Sequence, residues 1–285
     1  MKQGVFIVIP TFHRKTNLLQ LLNSLKHDSS KITIVEQGGN NRQDYKKYIT
    51  NYIFIRKPST PHALNVGVYK AQEEFVLFLD DDVTVNKYLI KYHLDNFLDN
   101  KVAATVGRII TDGQKIEPDR NDVGRINSIG IISDGFSSTI KQEVDTVIGA
   151  NTCWRKKVID ELGGFDERFT GNAIRFESDM SLRAKKMGYK IIFEPKAVVY
   201  HHRAETGGAR KSEGRIQWYF DFFSNETYFF LKHFNNLLLP IFLATKLAWA
   251  LRCMFGFGRE VSVRSMTTPV TGIIDGIKKY YDYRR

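Results

Sequence analysis

An α/β fold built on a mostly parallel sheet is predicted by two features of the chain. Short runs rich in Val, Ile and Phe recur at residues 5–10, 32–36, 52–55 and 75–80 with helix-compatible segments between them, the alternation that βαβ units produce. The last run, Phe75-Val-Leu-Phe-Leu79, is apolar throughout and then stops abruptly in Asp80-Asp81-Asp82. A strand apolar on both faces belongs inside a parallel sheet, where its carboxyl end opens onto the ligand crevice. With 285 residues and 42% hydrophobic content the chain suffices for one substantial core and an appendage. We place the α/β unit at residues 1–210 and a helical, aromatic and basic extension at 211–285.

Taken in order, Val5-Phe-Ile-Val-Ile9 reads as the first strand, closed by Pro10. It is too short for a signal-peptide core, so a cytosolic domain is expected. Leu recurs at helical spacing over 17–25, and 61–73 opens with a proline where a helix tolerates one. Between 111 and 145 the pattern dissolves into Gly, Asp, Asn and Ser, with short strands such as 129–132. A surface excursion that shapes a substrate pocket is expected there. Order returns at 147–151. A helix at 155–162, a Gly163-Gly164 break, a helix from about 177 to 187 and strands at 190–193 and 197–200 follow. No repeat or low-complexity tract is visible.

The formal net charge of +11 points to anionic partners: nucleic acid, nucleotide phosphates or a membrane surface. From Arg203 onward there are 13 Lys/Arg against 7 Asp/Glu, so more than half of the excess sits in the extension. That extension is dense in aromatics at 218–223 and 228–231, and 237–251 is nearly all apolar but contains Pro240 and Lys246. The apolar stretch falls short of the roughly 20 residues a spanning helix needs. An interfacial helix on anionic lipid, holding the protein peripherally on the cytosolic face of a membrane, is expected. A helical hairpin closing the back of the core, or a dimer interface, is the alternative. Cys153 and Cys253, far apart and without metal-ligand spacing, fit a reducing compartment.

Three adjacent carboxylates repel one another, and burying such charge costs several kcal/mol unless a cation compensates it. Oxygen ligands suit Mg²⁺ or Mn²⁺. In a straight strand Asp80 and Asp82 share a face and Asp81 takes the other. An acidic turn that merely stops a strand is the plain alternative.

Five stretches together resemble the inverting family 2 glycosyltransferases of GT-A fold, over roughly residues 5–210. They are Val8-Ile9-Pro10-Thr11-Phe12-His13-Arg14; Glu36, where that family usually has Asp; Pro61-His-Ala-Leu64-Asn65-Val-Gly67, with Leu64 where Arg is common; Asp80-Asp81-Asp82; and a series running from Gly149-Ala-Asn151-Thr-Cys-Trp154-Arg155 through Gly163-Gly-Phe165-Asp166-Glu-Arg-Phe169 and Glu177-Ser-Asp179-Met-Ser-Leu-Arg183 to Pro195-Lys-Ala-Val-Val-Tyr-His201. The resemblance implies a Rossmann-like GT-A sandwich and metal-dependent, inverting transfer of a sugar from a nucleotide-diphosphate donor, in surface glycan synthesis. It implies that Pro10, Thr11, Phe12, Arg14, Glu36, Asn65, Asp80 and Asp81 face the donor nucleotide. It assigns Asp82 and His201 to Mn²⁺ or Mg²⁺, with His202 a competing ligand, and Arg210, behind the Gly207-Gly208 hinge, to the pyrophosphate. Glu177 aligns with the family's base and Asp179 is the second candidate; Asp166 is expected at a turn. The acceptor is expected to be a saccharide or lipid-linked saccharide, with nucleic acid not a partner.

Two rival readings stand beside this one, the first drawn from the same carboxylates. Asp80-x-Asp82-x-Thr84 after an apolar strand also matches the nucleophile motif of haloacid-dehalogenase-like phosphatases. It sits on the fourth expected strand instead of the first, and no later Gly-Asp-x-x-x-Asp follows. A nucleotide or nucleic-acid binding module would explain the basic and aromatic content, but three acids in the crevice would repel a polyanion. No Gln-x-x-Arg-Trp element lies near Trp218, which disfavours a processive synthase.

Overall fold

The parallel strands form where Val, Ile and Phe alternate between two buried layers. In the computed structural model, which describes residues 4–26, 30–39, 41–115, 118–204, 207–208, 214–255 and 263–285 (side chains excepted at 253–255 and 263–266), the sheet has nine strands. These are β1 (Val5–Thr11), β2 (Lys31–Gln37), β3 (Asn51–Ile55), β4 (Phe75–Leu79), β5 (Val83–Val85), β6 (Val102–Thr111), β7 (Gln142–Glu143), β8 (Asn151–Arg155) and β9 (Lys190–His201). Their order is β3-β2-β1-β4-β8-β6-β9-β5, with β7 on β9. The first four run parallel, β8 is antiparallel to β4 and β6, and β6 and β9 are again parallel.

Helices cover both faces: α1 (Lys15–Ser24), α2 (Arg42–Tyr45), α3 (Thr60–Val68), α4 (Leu89–Leu94), α5 (Lys156–Glu161), α6 (Phe176–Lys186), α7 (Gly214–His233), α8 (Leu239–Phe255) and α9 (Val263–Arg284). Side-chain alternation separates the layers. Val5, Ile7, Ile9, Phe75, Leu77 and Leu79 pack with the leucines of α1, whereas Phe6, Val8, Val76 and Phe78 pack with α3, α5 and α6.

Several expectations change. The strands anticipated at 190–193 and 197–200 are one strand, β9, whose pairing with β6 shifts register between Gly107 and Arg108, opposite Glu194 and Val198. Pro195 sits in that irregularity, where its missing N–H does no harm. Residues 151–155, between the ordered run at 147–151 and the helix expected from 155, form the strand β8. The short strand at 129–132 reduces to a single bridge, Ile126 to Ile132. The extension is not a detached appendage throughout. Helix α7 buries Asp221 and the whole run from Phe223 to Leu231, and Tyr228 and Phe229 belong to the main core alongside Phe169 and Phe176.

Candidate active site

The carboxyl ends of β1 and β4 open into a cleft of about 680 Å³. Asp80, Asp81 and Asp82 occupy the turn between β4 and β5 and line it. The alternation expected of a strand persists through the turn. Asp81 is turned under β1, accepting from Thr11 Oγ1 at 2.7 Å and Arg14 Nη1 at 3.0 Å. Asp80 and Asp82 converge with His201, and each offers a ligand atom within 4.8 Å of the others.

Strand β5 explains how a histidine far along the chain arrives there. It pairs antiparallel with β9 so that Val83 faces His201, which sets His201 Nε2 3.1 Å from Asp82 Oδ1. The other oxygen of Asp82 accepts from Arg14 Nη1 at 2.9 Å and the Ala204 N–H at 3.1 Å. His202 alternates to the opposite side, 2.9 Å from Thr84 Oγ1 and 2.7 Å from Asp112. Of the two candidate histidines, the fold brings His201 to the aspartates.

Electrostatics divide the aspartates. Burial drives Asp81 up to about 6 even though Arg14 and Thr11 pull it down. Burial also acts on Asp82, but the hydrogen bond to His201 and the Arg14 charge outweigh it and hold that carboxyl at about 2. The hydrogen bond to Asp82 in turn raises His201 against its own burial. Two carboxylates and an imidazole, one of the carboxylates firmly ionised, form a donor set that suits Mn²⁺ or Mg²⁺.

Glu177 reaches the same cleft from the first turn of α6. Its carboxylate lies over Gly149, where an added Cβ would stand 2.8 Å from Glu177 Oε1. Asp179 does not line the cleft. It is fully buried, accepting from Arg183 at 2.8 Å and from Lys232 and His233 at 2.7 Å each. These cations and hydrogen bonds hold it well below the usual carboxylate range despite burial. Its role is to dock α6 on α7, and that corrects its standing as second candidate base. Asp166, in the turn between α5 and α6 as expected, ties that turn to α7 through Tyr228 at 2.6 Å and Lys232 at 2.7 Å.

Pro10, Thr11, Phe12 and Arg14 line the cleft as expected of donor-facing residues. Two others do not. Glu36 is buried, its oxygens taken by Asn41 N–H at 2.9 Å, the Asn41 amide at 2.5 Å and Tyr52 O–H at 2.5 Å. The next residue, Gln37, lines the cleft instead. Asn65 brackets Phe165, donating to its carbonyl at 2.9 Å and accepting from its N–H at 2.8 Å, so it braces the turn after Gly163-Gly164. Sequence spacing could not reveal either use, because both depend on partners chosen by folding. Arg210 lies outside the described residues. Gly207 and Gly208, both at positive φ, lie against the turn that follows β1: Gly208 N–H donates to Phe12 O at 2.9 Å, and a Cβ on Gly207 would press on the Phe12 and His13 carbonyls.

Known proteins share this architecture. The mannosyltransferase PcManGT from Pyrobaculum calidifontis, solved with GDP-Man and Mn²⁺, aligns over 99% of this chain and 88% of its own at TM-score 0.56 and 14% identity. S. aureus TarS 1–349, solved with UDP-GlcNAc, aligns over 97% and 81% at TM-score 0.63 and 16% identity. At these identities the likeness establishes the GT-A fold. In sequence, the chain is 26% identical over 234 residues to poly-beta-1,6-N-acetyl-D-glucosamine synthase of Staphylococcus aureus, covering 76% of this chain and 54% of the synthase. It is also 26% identical over 210 residues to the pre-mycofactocin glycosyltransferase of Mycobacterium tuberculosis, covering 71% of this chain and 44% of that protein. The chain thus spans about half the length of these relatives. The model of glycosyl transferase family 2 matches residues 6–163, more than half of the chain, and the chain belongs to that family.

Proposed function

We propose that the protein transfers a sugar from a nucleotide-diphosphate donor to a saccharide or lipid-linked saccharide hydroxyl, with inversion at the anomeric carbon. One observation carries the reading: Asp80, Asp82 and His201 gather on one wall of the cleft, and Glu177 enters it from another. Family membership and the donors bound by its structural neighbours support it.

In this mechanism Glu177 accepts the proton of the acceptor hydroxyl as its oxygen forms a bond to C1 of the donor sugar. The bond from C1 to the diphosphate oxygen breaks, and the electron pair leaves with the nucleotide diphosphate. Asp80, Asp82 and His201 would hold Mn²⁺ or Mg²⁺, which supplies Lewis-acid neutralisation of the leaving diphosphate. Arg14, bridging Asp81 and Asp82, keeps those carboxylates in place. Thr11, Phe12 and Gln37 stand where β1 and β2 end, at the side of the cleft suited to the nucleoside. The phosphatase reading is not favoured, since Asp80 shares its site with a histidine from β9 and the chain is a family 2 transferase.

Helix α8 supports a membrane-associated acceptor. Ile241, Ala244, Leu247, Ala248 and Leu251 are exposed along one side of it, a stripe with the spacing of an interfacial helix. Exposed Arg252, Lys278, Arg284 and Arg285 add positive charge to this end of the chain. Among the described residues no helix is long and apolar enough to cross a membrane. The proposed placement is peripheral, on the cytosolic face. Leu247→Glu with Leu251→Glu should then abolish sedimentation with anionic liposomes while leaving the melting temperature intact; unchanged sedimentation would refute the lipid contact.

The reaction itself is tested by thermal-shift screening of UDP-GlcNAc, GDP-mannose and related sugar nucleotides with Mn²⁺. Asp82→Ala should abolish metal-dependent stabilisation by the nucleotide. Glu177→Gln should keep that stabilisation and lose about 10²-fold or more in turnover. Metal-dependent binding that survives in Asp82→Ala would contradict the reading.

A further inference from the structure

Glu177 follows two residues after a backbone position that an arginine rarely adopts. Arg175, the residue that caps α6, has φ 80°, in the left-handed region. Its carbonyl accepts the first hydrogen bond of the helix, from Asp179 N–H at 2.8 Å. Its guanidinium turns away from α6 to the α7 carboxylate Glu226, with Nε at 2.8 Å and Nη2 at 2.7 Å from Oε1. The second oxygen of Glu226 is held by Lys246 of α8 at 2.8 Å. Glu226 is 2% exposed, and its two cations keep it ionised against burial. The loop before Arg175 is moored to the same helix: Asn225 donates to Thr170 O at 2.8 Å and to Asn172 Oδ1 at 3.1 Å.

We infer that Arg175 is a positioning residue whose grip on Glu226 sets where the first turn of α6 starts, and with it the placement of the Glu177 carboxylate over Gly149. A strained backbone at the entry to a functional helix persists when surroundings over-determine it. Here the surroundings are two helices that contribute nothing directly to the cleft chemistry. The inference rests on the reading of Glu177 as the base.

Arg175→Gly isolates the tether, because glycine adopts positive φ without strain and Glu226 keeps Lys246 as its partner. With whichever of UDP-GlcNAc and GDP-mannose shows Mn²⁺-dependent binding, kcat for Arg175→Gly should fall about 10-fold or more, the sensitivity to misplacement of a reacting group. Nucleotide affinity and donor KM, read well below the melting transition, should stay near wild type; the melting temperature should fall, because a buried ion pair is broken, and Arg175→Lys should recover part of kcat. Glu177→Gln is run in parallel. Wild-type kcat in Arg175→Gly beside an inactive Glu177→Gln overturns the tether alone. Wild-type kcat in both overturns the base assignment and the tether with it. Loss of nucleotide affinity in Arg175→Gly, or no recovery by lysine, overturns the positioning role.

Discussion

Replacing Gly149 by alanine asks whether the Glu177 carboxylate is the group whose position matters. The new Cβ would lie 2.8 Å from Glu177 Oε1 and 3.8 Å from Cδ, while ordinary contact begins near 3.4 Å. The carboxylate end must therefore give way by about 0.6 Å. The clash falls on the tip of a flexible side chain, and Gly149 has no positive φ, so stability should change by less than about 1 kcal/mol. Catalysis is less forgiving, since misplacing a reacting group by about 1 Å costs on the order of 10²-fold. Gly149→Ala should thus lose about 10-fold or more in kcat, with donor KM and Mn²⁺-dependent nucleotide affinity unchanged. Steady-state kinetics beside a thermal melt make the comparison. A variant with wild-type kcat would show that Glu177 is not positioned for proton transfer, whereas a large drop in melting temperature would show that Gly149 is needed by the fold.

Two further predictions concern buried charge. Asp179→Asn leaves His233 and Arg183 without their carboxylate and Lys232 with Asp166 alone, and breaking a buried ion cluster costs about 3–5 kcal/mol. The melting temperature should fall by roughly 6–15 °C with nucleotide affinity retained below the transition; an unchanged melt would contradict the docking role. His93, enclosed by Thr105 Oγ1 at 2.7 Å and Asn151 Oδ1 at 2.9 Å, is lowered by burial from 6.5 to about 4. The unfolded chain takes up this proton first, so stability is intact above about pH 6.5 and declines as pH falls towards about 4, by about 3 kcal/mol in all. Denaturation curves at pH 7 and 4.5 should show the decline in wild type and a smaller one in His93→Gln; equal slopes would refute the assignment.

What could be read from the sequence divides along the range of the interactions involved. Strands β1 to β4 were legible almost to the residue because each is a local apolar run ending in a polar or proline stop, and parallel core strands need nothing more. Strand β6 was not, because Val102-Ala-Ala-Thr-Val-Gly carries little strand signal of its own and owes its conformation to β8 and β9 on either side. The aspartate turn, with Asp80 and Asp82 on one side and Asp81 on the other, followed from strand alternation alone. Choosing His201 over His202 required the β5–β9 register, since a shift of one residue would exchange them. The same limit governs the two acids of α6. Glu177 and Asp179 are both acids in the first turn of one helix, so the helix dipole favours either. They separate only because α7 returns from residues 214–233 to lay Lys232 and His233 on Asp179. A carboxylate so enclosed by cations is a poor proton acceptor, and of the two acids it is Glu177 that lines the cleft, the placement the proposed base requires.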